Sequence, residues 1–442
     1  MDASLWVRWA AIHGVLRAFL SVQALRGDPL GRFLMGQIPQ DERYAVMQQI
    51  RAQGRLVRTR FVWVSADHEI CRTVLRDDRF GITGKKGRPK PLPQVIARTD
   101  PGLPNPVEPP AMVMTDPPEH TRYRRLVAHS FTPRAIEELS GRVTELTNEL
   151  LNGLDADRQV DLLADFATPL PIAMIAEILG LPSDAWPLLL EWGHLASPLL
   201  DMGVTWTTYR RASDGMRGLD RYLRDHFEQL RRGDPDDTPF SRLAAGDALT
   251  HRELAANAAL LIGAGFETTV NLIGNGIVLL LEHPQQLARL RENPDLWPNA
   301  VEEILRFHSP VQMTARAARQ DVDIDGNRIA AGESVILILA GANRDPRIFE
   351  HPDRFDVTRP NARDHLAFAT GVHACIGAPL ARIEGSTALR SLFQRFPDLA
   401  LSAPPQARGL VNLHGYQQLT TDLGSSRTTN DTTIREGNRH EH

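Results

Sequence analysis

Cysteine is scarce: 442 residues contain only Cys71 and Cys375. Two thiols so far apart exclude a disulfide framework and a four-thiolate zinc site, and they suit a reducing cytoplasm. The chain also lacks an unbroken apolar run near its start. Leu5 to Leu25 is fairly apolar and carries Trp6, Trp9 and Phe19, but Arg8, His13 and Arg17 interrupt it and no small-residue cleavage pattern follows. That stretch is neither a signal peptide nor a spanning helix, and no transmembrane segment is expected. It reads as an amphipathic helix packed on the body, with peripheral membrane contact as the alternative. Charge of one sign is missing too. A net −4 with acids and bases interspersed argues against a nucleic-acid binder. There is no internal repeat and no long linker.

What is present is ordinary globular material, 42% hydrophobic and 24% charged, with ample length to bury a core and hold a bulky cofactor. Leu56 to Ser65 is rich in β-branched and aromatic residues and reads as strand. Val322 to Gly326 ends on an Asp-Gly turn and Val335 to Leu339 is an apolar strand, so a second small sheet is expected there. Nearly everything from Asp116 to Phe307 has helical spacing, and Ile82 to Met114, dense in Pro, Gly and Lys, reads as a long functional loop. Gly424 to His442 is polar and unpatterned, the composition of a disordered tail. The expectation is a mainly α, minor β, single domain over 1–423, with a helical N-terminal extension over 1–40.

Cys375 sits in Phe368-Ala369-Thr370-Gly371-Val372-His373-Ala374-Cys375-Ile376-Gly377, followed by a helical pattern from Ala378. Glycines bracket it where backbone turns sharply or approaches a ligand. A cysteine just before a helix N-terminus meets exposed N–H groups and should ionise easily, as a metal-ligating thiolate must. The other reading is an inert buried thiol, which Cys71 in its apolar helical stretch fits. The string resembles the cytochrome P450 cysteine loop, Phe-Gly-x-Gly-x-His-x-Cys-x-Gly-x-x-Leu-Ala-Arg, at every fixed position but Ala369, where the family has glycine. The resemblance implies a haem b cofactor (iron protoporphyrin IX) with Cys375 as the iron ligand, His373 on a propionate and Phe368 shielding the sulfur.

From His251 to Leu281 a helical pattern runs about 30 residues, roughly 45 Å, and Glu267, Asn271 and Asn275 recur on one face. A membrane helix would not turn that stripe to lipid. Gly263 and Gly265 thin the helix and suggest something close to its backbone. They imitate a dinucleotide fingerprint, but the third glycine and the preceding strand are absent. Ala264-Gly265-Phe266-Glu267-Thr268-Thr269 instead resembles the family's oxygen-activation motif. By that likeness Thr268 donates a hydrogen bond to the bound dioxygen, Glu267 relays protons and Ala264 leaves room over the iron. The haem would then lie between this long helix and the helix after Cys375.

Asp116-Pro117-Pro118-Glu119 reads as a helix start with Asp116 as N-cap, and it sets His120 and Arg124 one turn apart. The run resembles the family's propionate-binding helix, and Arg316 after Pro310-Val311-Gln312 matches the strand arginine for the other propionate. Glu303 and Arg306 match the family's Glu-x-x-Arg, whose third member would be Arg354 in Pro352-Asp353-Arg354-Phe355.

Two rival readings are a non-haem iron site built from His351, Asp353 and His365 or His373, and a non-catalytic haem sensor or carrier on the same fold. The first would sit in a β-barrel, which this region is not. The second has no use for Glu267-Thr268. The resemblance implies a monooxygenase acting on a lipophilic small molecule. No flavin or iron–sulfur motif is present, so electrons come from an external ferredoxin and ferredoxin reductase, the ferredoxin docking near Arg122, Arg125 and Arg134. The expected pocket walls are Phe266, the Ile82–Met114 loop, the Trp186–Tyr209 region and Val411 to His414.

Overall fold

The computed structural model describes residues 3–36, 38–39, 42–60, 62–82, 92–155, 158–232 and 249–424. The expected tail beyond Gly424 and residues 83–91 of the expected long loop lie outside these. The architecture is mainly helical, and its axis is the 32-residue helix His251–Glu282. A capping box starts that helix: Thr250 Oγ1 accepts from Glu253 N–H, and the Glu253 carboxylate accepts from Thr250 N–H. Its apolar residues pack with Pro169–Leu179, Trp297–Phe307 and Ala378–Arg395 into the largest core cluster. It is the one helix among the described residues long and apolar enough to cross a membrane, and 78% of its apolar window is buried inside the protein. Packing against neighbouring helices therefore accounts for its composition.

The β structure is small. A five-stranded sheet orders Val57–Arg58, Trp63–Ser65, Ser334–Leu337, Thr314–Ala318 and Phe80–Gly81. Thr314–Ala318 runs antiparallel to Ser334–Leu337, with Arg316 opposite Val335. The apolar strand expected near Val335 thus joins this sheet, parallel to Trp63–Ser65, rather than forming a second one. Val322–Ile324 and Asn327–Ile329 pair only with each other among the described strands. Asp325 (φ 51°) and Gly326 (φ 74°) are both left-handed, the geometry that closes a two-residue hairpin.

Glu303 and Arg306 are both fully buried and paired at 2.6 Å, but their third partner is Arg359, whose Nε lies 3.1 Å and 3.2 Å from the two carboxylate oxygens. Arg354 is exposed at the side chain and gives Arg306 only its carbonyl. The Pro-acid-Arg-Phe pattern located the segment but not the residue, because the chain turns at Asp356–Arg359 and brings Arg359 back beneath the helix. Two buried guanidiniums on one buried carboxylate, each with carbonyl acceptors for its remaining N–H groups, satisfy the hydrogen bonding that such burial requires.

Candidate active site

Between Leu254 and Leu280 every residue of the central helix is buried except Ala264, Gly265 and Thr268. At 100° per residue Ala264 and Thr268 share one face, so one turn of an otherwise buried helix opens onto internal space. The two glycines beside it have different causes. A Cβ on Gly265 would come within 2.6 Å of Ile175, so helix packing demands that glycine, whereas Gly263 faces open space. Phe266, expected as a pocket wall, points the opposite way. Its ring lies on Gly193, where a Cβ would come too close for any side chain, and it meets His194 edge-on at 5.7 Å. It is a packing residue.

The Thr268 hydroxyl donates to the Ala264 carbonyl at 2.8 Å. That bond anchors the hydroxyl on the helix backbone, facing the open turn. Glu267 is fully buried and ion-paired with Arg408, while its Oε2 has no hydrogen-bond partner. Burial pushes its carboxyl up and the Arg408 guanidinium pulls it back. His194, half exposed, places Nδ1 3.7 Å from the same carboxylate; one water or a small shift closes that gap. Arg408 and His194 were not anticipated as partners of Glu267. They lie 141 and 73 positions away in the chain, and no local spacing connects them.

Cys375 lies in the turn before Ala378–Arg395. Its backbone N–H donates to the Phe368 carbonyl at 2.9 Å, and its sulfur accepts from the N–H groups of Gly377 and Ala378. The side chain is solvent-accessible yet ringed by protein. Desolvation by that ring pushes the thiol up, and the two N–H groups with Arg124 and Arg382 only partly offset it. Desolvation thus opposes the ionisation that the helix start favours. Phe368 stacks beneath the Arg382 guanidinium at 4.7 Å. Gly371 (φ 76°) has no substitute, since a Cβ would strike the Leu75 carbonyl.

Ala369, the departure from the family pattern, has φ 53°, a left-handed conformation that costs an L-residue about 1 kcal/mol relative to glycine. Ala369→Gly should raise stability by about that amount without altering the site. Denaturant unfolding of the two holoproteins checks this; an unchanged or lower midpoint contradicts the assigned strain.

The third cluster joins three elements. His120 and Arg124 lie on helix Glu119–Val127, Arg316 on its strand and His373 on the turn Gly371–His373. The two imidazole rings are 4.2 Å apart. Arg316 is buried, donates only to Thr314 Oγ1 and the Ala315 carbonyl, and forms no ion pair with a described residue. Burial lowers it to about 10. His373 Nε2 is buried without a partner, and desolvation, with Arg316 and His120 beside it, holds the ring down to about 3. Asp116 is not the N-cap of the helix that carries His120. That helix begins at Glu119 without a side-chain cap, and the Asp116 carboxylate instead accepts from Ile82 N–H and pairs with Arg319.

Comparison with known proteins explains this constellation. A sequence profile described as "Cytochrome P450" matches residues 158–406. The chain belongs to the cytochrome P450 family. It is 41% identical over 430 residues to the "Putative cytochrome P450 140" of Mycobacterium tuberculosis, covering 96% of this chain and 98% of that protein. It is 41% identical over 375 residues to the "Vitamin D(3) 25-hydroxylase" of Pseudonocardia autotrophica, covering 83% and 87%. The crystal structure of P450BioI in complex with hexadec-9Z-enoic acid ligated acyl carrier protein superposes with a TM-score of 0.79 at 35% identity, covering 86% and 97%. The mainly helical fold is that of the family, and the protein is a haem-dependent monooxygenase that acts on a lipophilic substrate and takes electrons from redox partners.

The residues present fit a haem. Arg316 and the orphaned Nε2 of His373, with His120 and Arg124, offer a buried cationic and hydrogen-bonding cluster to the two carboxylates that a haem carries. Cys375 supplies an accessible sulfur for iron. Ala264 is the small, accessible residue on the central helix. Gly377 adopts φ −81° and has room for a Cβ within the chain, so no contact within the protein requires glycine at this position.

Proposed function

We propose that this cytochrome P450 oxygenates a lipophilic small molecule with electrons from a small acidic ferredoxin and its reductase, in the cytoplasm, with Cys375 as iron ligand and Glu267–Thr268 as the proton relay. The observation that supports the relay most directly is the accessible turn at Ala264 and Thr268, with a buried carboxyl next in sequence and that carboxyl's partners leading outward. When bound, haem supplies the iron at which dioxygen is activated, and a thiolate ligand favours O–O cleavage. The protein's own part is to position and to move protons. His120, Arg124, Arg316 and His373 anchor the propionates, and Phe368 holds the cysteine loop through its carbonyl. Protons would pass from solvent to half-exposed His194, then to Glu267, then to the Thr268 hydroxyl, which accepts one proton as it passes its own into the open turn.

An apolar recess lined by Pro104, Trp192, Gly193, Met216, Ile262 and Gly263 lies on the Phe266 face of the central helix, away from the Ala264–Thr268 turn. Helices Trp186–Ala196 and Trp206–Arg232 form its roof. Val411 to His414, also expected as a wall, is mostly buried, and the Asp201 carboxylate holds the Val411 and Asn412 N–H groups. The substrate class proposed is an elongated apolar molecule, such as the hexadec-9Z-enoic acid named for P450BioI or the vitamin D3 named for the hydroxylase. Titration of the holoprotein with fatty acids and sterols, watching the haem absorption band, tests this class. Charged sugars shifting the band while lipids do not would exclude it.

For the ferredoxin the docking surface moves from the sequence-based position. Arg122 is engaged by Glu253 at the start of the central helix and is structural. Val372, 52% exposed, lies in the cysteine loop, and the Leu75–Arg76 backbone packs on Gly371 of the same loop. Arg72 and Arg76 are exposed on one face of His68–Arg76, and Arg125 is exposed one residue from Arg124. An apolar centre with a basic rim suits a small acidic partner. Arg76→Glu together with Arg125→Glu should slow reduction by ferredoxin roughly tenfold at low ionic strength and flatten its salt dependence. Stopped-flow reduction rates that do not change would remove this surface from consideration.

A further inference from the structure

Among the described residues eight large hydrophobic side chains are exposed, and five of them, Trp6, Val7, Val15, Val22 and Leu25, fall within the first 25 residues. The segment comprises Ala3–Trp9, one wider π-type turn at Ala10–Gly14 and Val15–Leu25. Leu20, Gln23 and Ala24 bury the inner face of the last helix. Its outer face is apolar as well: Val15 (70% exposed), Ala18, Val22 and Leu25 (84%) fall with Arg26 within about 100° of arc. A helix apolar on both faces is normally buried on both. The surroundings are basic. Residues 3–36 carry four arginines against Asp28 as the one acid, in a chain of net charge −4. Arg26 and Arg32 are exposed and form no ion pair with a described residue.

The same segment holds both loops that flank the apolar recess. Arg8 is buried, donates to the Ile96 carbonyl and pairs with Glu108. On the other side Trp9 Nε1 donates to the Val204 carbonyl at 2.9 Å, and Arg17 to the Gly203 carbonyl at 3.0 Å. Residues 96–108 and 203–204 are thus fastened to one helical strap whose outward side is apolar and cationic.

We propose that the outer face of residues 6–26 seats this protein on an anionic lipid surface. Apolar side chains enter the headgroup boundary and the exposed guanidiniums of Arg26 and Arg32 meet lipid phosphates. Lipid is favoured over a second copy of the chain because two such basic rims repel when the faces pair. It is favoured over a protein groove because valine and leucine along one flat helix face present area without a shaped anchor. The docking does not depend on the turnover proposed above, and its test needs no substrate.

The test is sedimentation of the full-length holoprotein with phosphatidylcholine vesicles, with and without phosphatidylglycerol, alongside tryptophan emission. Expected are co-sedimentation with the anionic vesicles, weakening as salt rises, and a blue shift from Trp6. Val15→Asp, Val22→Asp and Leu25→Asp together should cut binding by at least about tenfold while the haem spectrum stays intact. Should that variant fail to fold, Arg26→Glu with Arg32→Glu, both at exposed positions, should lose preferential binding to anionic vesicles. Three results overturn the proposal: no sedimentation with either vesicle, equal sedimentation by the variants, or a wild-type dimer that the triple variant dissociates without any lipid binding.

Discussion

Cys375→Ser leaves a protein whose reduced, carbon-monoxide-treated form lacks the red-shifted absorption band of an anionic sulfur donor. Oxygenation falls by about 10³-fold or more, some 4 kcal/mol in the barrier. The expectation rests on three features of the loop. The Cys375 sulfur is the accessible one of the chain's two; Cys71 is buried against the Ser65 carbonyl, and desolvation pushes its thiol far up. The N–H groups of Gly377 and Ala378 point at sulfur and stabilise charge there, which a serine hydroxyl, far harder to ionise, cannot use. Desolvation disfavours the free thiolate, so charge on sulfur and iron on sulfur arise together. The Cys71→Ser protein serves as control and should keep the band. A serine at 375 with an unaltered spectrum would end the assignment of the ligand.

Glu267→Gln should slow product formation by about 10²-fold, the lower range for loss of a positioned acid–base group, with substrate-induced spectral shifts unchanged. Thr268→Ala removes the hydroxyl anchored on the Ala264 carbonyl and should divert reducing equivalents to hydrogen peroxide; full coupling in that variant would refute its role. Arg408→Ala separates positioning from bulk. Burial raises the Glu267 carboxyl and Arg408 lowers it, so removing the guanidinium should move the acid limb of the rate profile to higher pH. Lysine at 408 should restore the limb in part. A variant that loses only stability, with the limb in place, would make Arg408 a structural residue.

Much of this site was legible from local spacing. The cysteine loop, the acid–Thr pair and the His120–Arg124 turn are each contained within a few residues, so spacing marked them as candidates, and their roles are what the family resemblance implies. The long-range partners were not legible in that way. Glu267 meets Arg408 because a strand near the C-terminus folds over the central helix, and Glu303 meets Arg359 because a turn at Asp356 brings it back. Phe266 was misread because apolar character says nothing about which face of a buried helix meets Gly193. The helix end that favours ionisation of Cys375 is a local effect, while the desolvation that opposes it sums over everything packed around the thiol.

By itself, then, the order of residues determined a mainly helical chain with one cysteine in a glycine-bracketed turn ahead of a helix, a polar stripe on a long apolar helix, and His120 and Arg124 one turn apart. Tertiary structure alone decided that the cysteine loop, the His120 helix and the Arg316 strand meet, that Arg316 is buried with no ion pair to a described residue, and that the N-terminal helix is fastened to the loops beside the recess. The division has a physical cause. Backbone periodicity acts over a few residues and is written into spacing, whereas burial and charge pairing depend on which distant segments pack together.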